Sequence, residues 1–112
     1  MDQLVQYREY IKEIIRGHAG YQRELEEFET QLLFDDEGGH YYLMRVGWDG
    51  PRRIHACLIH MDLKSDGKIW VQRDGIESGV TQELLERGVP KTNIVLGFHA
   101  PYKRKFTDYA IA

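Results

Sequence analysis

The sequence predicts an α+β fold: an antiparallel β-meander of four or more strands, with one helix before it and a second helix after it. Three observations predict this. Apolar residues recur at helical spacing near the amino end. Strand-forming runs at 41–48, 53–63 and 68–73 are separated by short segments that each hold an Asp-Gly pair. A second helical stripe follows at 76–84. Asp-Gly between β-branched and aromatic runs signals a hairpin, because Gly takes the positive φ of a tight reversal at no steric cost. The 112 residues fit one domain, 1–112, with no linker.

Residues 2–16 read as an amphipathic helix, since Leu4, Tyr7, Ile11, Ile14 and Ile15 share one stripe. Asp2 is placed to cap its first N–H groups, and Gly17 to end it in the left-handed conformation. A polar connection over 18–27 leads to an opening strand at 28–34, which turns through Asp35-Asp36-Glu37-Gly38-Gly39 into His40.

In the next reversal Pro51 has no N–H to bond back to Trp48, so a three-residue loop over 49–51 is expected, with Trp48 facing Arg52. Alternation then puts Tyr42, Met44, Val46 and Trp48 with Ile54, Ala56 and Leu58 on the core face. Leu43, Arg45, Arg53, His55, Cys57, Ile59 and Met61 fall opposite, continued by Ile69 and Val71 if the second turn has three residues. That second face is apolar over half its length. It is expected to be covered by the tail or by a second copy in a homodimer.

Asp74 stands three residues before Glu77 as an N-cap pair, so the second helix is expected to start there, carry Ile76, Val80 and Leu84 on one stripe, and stop at Gly88-Val89-Pro90. Gly79 weakens its interior by roughly 1 kcal/mol relative to Ala, which a close approach by another backbone would explain. After a short apolar run at 94–98, Pro101 points to an extended or irregular tail.

Composition narrows the function classes. A net charge of −3 does not suit a protein that binds DNA through its whole surface, because such affinity comes mostly from cations displacing counterions. Only Arg52-Arg53 and Lys103-Arg104-Lys105 form local basic clusters, so direct DNA contact needs the two to lie side by side. No apolar run approaches the ~20 residues of a membrane span, and no signal peptide is visible, which makes the cytoplasm the expected location. Lone Cys57 forms no internal disulfide and anchors no Cys-rich zinc site.

No metalloenzyme spacing, nucleophile elbow or phosphate-cradling loop occurs, so neither a catalytic residue nor a cofactor is expected. The nearest approach to a metal or general-base constellation is His60, Asp62, Asp74 and His99. His60 and Asp62 share a strand face, and the second turn brings Gln72 and Asp74 alongside. On the bland reading, Asp74 caps its helix and the others hydrogen-bond at a sheet edge. Trp48 beside an exposed turn, Arg52, Arg53, and the segment with His99, Pro101, Tyr102 and Arg104 are candidates for partner binding, because aromatics and Arg carry most of the energy in interfaces. Phe98 and Tyr102 equally suit a tail packed along the sheet edge.

Several stretches together carry a family likeness: Val46-Gly47-Trp48-Asp49-Gly50, Ile59-His60-Met61-Asp62, Gly67-Lys68-Ile69-Trp70-Val71-Gln72, and Gly88-Val89-Pro90-Lys91 leading into Ile94-Val95-Leu96-Gly97-Phe98-His99 with Pro101 and Arg104. The chain closely resembles the XisI family of excision controlling factors from its first helix to its last residues. The resemblance implies an accessory role in programmed removal of a DNA element. The implied partners are a site-specific recombinase, which performs the strand chemistry, and a nuclease-like XisH protein. It carries over no catalytic residue.

Overall fold

In the computed structural model, which describes residues 2–22 and 28–112, the amino-terminal stripe forms α1, Gln3–Gln22. It runs past the expected end. Gly17 is not among the residues with positive φ. An interior Gly costs about 1 kcal/mol against Ala, which is offset where the added turn buries Ala19 and brings His18 Nε2 to 2.6 Å from Glu83 Oε2. The connection expected at 18–27 is therefore helical to residue 22, and its remainder lies outside the described residues.

Five strands follow, in spatial order β1-β2-β3-β4-β5: β1 Phe28–Asp35, β2 His40–Asp49, β3 Arg52–Leu63, β4 Ile69–Asp74 and β5 Ile94–Leu96. The first four form the antiparallel meander. β5 is parallel to β4. Parallel neighbours need a crossover, here supplied by α2, Val80–Glu86, and a 3-10 turn at Lys91–Asn93.

Three departures from regular pairing decide which side chains face the core. Asp49 pairs with Arg52, so the first loop is two residues, Gly50-Pro51, rather than three. Gly50 at φ +59 takes the first loop position, as in a type II′ turn, and Pro51 sits inside the loop where no N–H is required. A bulge then falls at Leu58, because Met44 pairs with Cys57 but Leu43 with Ile59. The extra residue is held by Gly75 N–H donating to its carbonyl at 2.8 Å. A second bulge falls at Gln72, between the pairs Met61/Val71 and His60/Arg73.

The short turn and the Leu58 bulge each shift pairing by one residue in the same direction, and together the two shifts restore the face. Ile59 and Met61 thus rejoin Leu43 and Tyr41, while Arg53, His55 and Cys57 turn to the face of Trp48 and Met44. The core lies on the face expected to be secondary. Tyr41, Leu43, Ile59, Met61, Ile69 and Val71 are buried under Tyr7, Ile11, Ile14 and Ile15 of α1 and Val80 and Leu84 of α2. Their burial within one chain removes the reason given for a homodimer on that face, and Trp48 is left exposed.

The second helix starts later than expected. After β4 the chain loops through 75–79, and Gly79 precedes Val80 at φ +85. Gly79 therefore serves the backbone conformation and not a close backbone neighbour. Asp74 caps at a distance: its carboxylate accepts the Ile76 N–H at 3.3 Å and the Val80 N–H at 3.0 Å. The stop is as expected, with Gly88 at φ +93 and Val89 N–H on the Leu84 carbonyl. The tail is not irregular throughout. Pro101 opens a one-turn helix, α3, Pro101–Arg104, and Ala110 bridges to Val95 along the outer edge of β5. No helix among the described residues is long and apolar enough to cross a membrane.

Candidate functional site

Asp62 near the end of β3 is the one buried charged residue among the described residues, its side chain 8% exposed. Three donors meet it. His40 Nδ1 lies 2.7 Å and His60 Nε2 2.9 Å from the same oxygen, Oδ1, while Gln72 Nε2 donates to Oδ2 at 3.1 Å. Burial works to raise the pKa of Asp62, but the hydrogen bonds from His40, Gln72 and His60 prevail, and the carboxyl is held below its ordinary value. Asp62 is thus a carboxylate at neutral pH.

The sheet builds this cluster. His40 and Asp62 are a cross-strand pair, and His60, two residues before Asp62, shares its face. The ring of Tyr42 stacks on His60 with centroids 4.0 Å apart. At Gln72 the bulge lets the amide reach Asp62, and Gly97 leaves room for it: a Cβ there would meet Gln72 Oε1 at 2.4 Å. Gly39, at φ +75, lets its carbonyl accept the Leu63 N–H at 2.8 Å, fastening the start of β2 against the end of β3.

Of the four residues proposed for a polar site, only His60 and Asp62 come together. The Gln72 bulge pairs Asp74 with Ile59 and thereby turns it to the other face, where it caps α2. The His99 ring lies tilted against that of Phe98, centroids 4.7 Å apart, and the His99 carbonyl accepts from Arg104. His40 was missed, because only the register of the β2–β3 pairing sets it opposite Asp62. A 22-residue separation carries no local signal.

The partner-binding candidates fall into two separate groups. Trp48, 53% exposed, sits at the β2–β3 hairpin with the Arg53 guanidinium 5.3 Å from its ring centroid, and Arg52 pairs with Asp49 at 3.2 Å. Pro101 and Tyr102 are exposed in α3, whereas Arg104 is half-buried, donating to the carbonyls of His99 and Gly97 and lying 5.0 Å from the Trp70 ring. Since Trp70 pairs with Asp62, nine positions along β3 from Arg53, the two basic clusters are roughly 25–30 Å apart and do not lie side by side. A cavity of about 890 Å³ lies elsewhere, between His18 and the 75–78 loop.

Comparison with known proteins bears on all of this architecture. The model of the XisI protein family matches residues 1–111. A search of curated proteins returns no match. The crystal structure of a XisI-like protein from Anabaena variabilis is 45% identical, with a TM-score of 0.90 over 97% of this chain and 99% of that one. That of the fdxN element excision controlling factor XisI from the same organism is 35% identical, with a TM-score of 0.86 over 99% of this chain and all of the other. With a family model spanning nearly every residue and the same fold recurring at these identities, the chain belongs to the XisI family.

Proposed function

We propose that this protein is a non-catalytic accessory factor in excision of a DNA element, and that it acts by docking a XisH-like partner on the sheet face opposite α1. The observation that carries the docking surface is the exposure of Trp48, stacked with Arg53 on a face where Leu33 is also exposed and Tyr42 half-buried. An aromatic–Arg pair of this kind adds large contact area at low entropic cost. The excision role is supported by membership in the XisI family and by the solved relative described as an excision controlling factor. A net charge of −3 suits association with a basic, DNA-handling protein, and the recombinase supplies the strand chemistry.

Co-purification and a binding titration with the cognate XisH-like protein test the reading. Trp48→Ala and Arg53→Ala are each expected to weaken association by ~1–2 kcal/mol, about 5- to 30-fold, without unfolding the protein. Absence of binding at micromolar concentrations, or affinity untouched by both substitutions, refutes it. Including duplex DNA as a third component separates a protein-docking role from direct DNA contact.

A further inference from the structure

We infer that His40, His60 and Asp62 form a binding site for a zinc-class divalent metal ion. One nitrogen from each imidazole and one carboxylate oxygen lie within 4.8 Å of one another. Two imidazoles and a carboxylate are a donor set for first-row ions such as Zn²⁺. Both ring nitrogens converge on one oxygen, at 2.7 and 2.9 Å, instead of sharing the two oxygens of the carboxylate. Tetrahedral zinc with bonds of ~2.0–2.1 Å sets its ligand atoms ~3.3 Å apart, so each ring nitrogen needs to move only about half an ångström from Oδ1 to admit the ion.

Gln72 holds the other oxygen of Asp62 in the role of an outer hydrogen-bond partner. Each imidazole has a second ring nitrogen that can carry its N–H, leaving the nitrogen that faces Asp62 free to coordinate. All three donors stand on the paired strands β2 and β3, and Tyr42 fixes the plane of His60, which limits the ordering cost of binding. Three protein ligands leave at least one coordination position open. His40 is 45% exposed and lines a hollow of about 480 Å³ with Leu33 and Tyr42, so an ion has access from solvent. This site does not depend on the docking reading.

Tag-free, chelator-treated protein titrated with ZnCl₂ against a chromophoric chelator tests the assignment, with Co²⁺ as a spectroscopic probe of the same site. One equivalent should bind with micromolar or tighter affinity, and Co²⁺ should develop visible absorption from nitrogen and oxygen ligation. His40→Ala and His60→Ala should each weaken binding at least 10-fold. His99→Ala and His18→Ala, outside the cluster, should leave it unchanged. Because His40 is surface-accessible, its variant is expected to stay folded, as circular dichroism will verify, and it decides the matter even if His60→Ala unfolds. Binding weaker than 1 mM, or affinity unchanged in folded His40→Ala, overturns the assignment.

Discussion

Asp62 shows how much a single side chain can organise. Its low folded-state pKa means that it contributes stability above the unfolded carboxyl value of about 3.9, and that this contribution is lost as pH falls through the lower folded value. Asp62→Asn keeps the shape but not the charge-assisted bonds. It should lower unfolding free energy by about 1–3 kcal/mol at pH 7, and the difference from the parent protein should shrink as pH falls below the unfolded carboxyl value of about 3.9. Urea unfolding above and below that value measures this; a difference that does not change with pH would show that the charge of Asp62 is not what stabilises the fold. Arg104 is a second instructive residue, since its guanidinium spans the carbonyls of Gly97 and His99 and covers Trp70. Arg104→Ala should cost about 1 kcal/mol or more of stability, read by thermal denaturation.

At the scale of elements, two tight joints hold the sheet in register. Gly39 has φ +75, and a Cβ there would lie 2.3 Å from the Leu63 carbonyl oxygen, so Gly39→Ala must move backbone. A loss of about 2 kcal/mol or more is expected, combining left-handed strain with the clash. Gly97→Ala meets the far end of the Gln72 side chain and so should be milder, moving the amide off Asp62 with little change in melting temperature. Comparing the two variants by calorimetry distinguishes a backbone joint from a side-chain seat. On α1, Ile15 is fully buried against the sheet, and Ile15→Ala should cost about 2–5 kcal/mol by leaving a cavity.

Across the whole molecule, α1 and α2 cover one sheet face, while the Trp48 end of the other is left open. Substituting a charge on each face gives a direct contrast. Trp48→Lys should shift the melting temperature by less than about 4 °C, because its side chain is already half in water. Met61→Lys, on the buried face, should abolish cooperative unfolding, since an unpaired cation there has no solvent and no partner. Thermal scans of the two variants would reverse in order if Trp48 belonged to the core. The roughly 25–30 Å between the Arg53 and Arg104 neighbourhoods, well beyond a Debye length of about 8 Å at physiological salt, means that the two basic clusters act as separate surfaces.

Local chemistry was enough to read the elements from the sequence. Helical spacing from Leu4 to Ile15 marks α1, Asp-Gly pairs mark the meander, and Gly88-Val89-Pro90 marks the end of α2, because each depends on backbone preferences of adjacent residues. The set Leu43, Ile59, Met61, Ile69 and Val71 was likewise legible as one face. Only the tertiary structure decided which face α1 covers, since both were apolar enough to be core. It also decided the site. Whether Asp62 meets His40 rather than Asp74 rests on one-residue shifts at Gly50-Pro51, Leu58 and Gln72, and a strand's period of two turns each such shift into a change of face. Side chains 22 residues apart are brought together by that register alone, through hydrogen bonds between strands that no local pattern encodes.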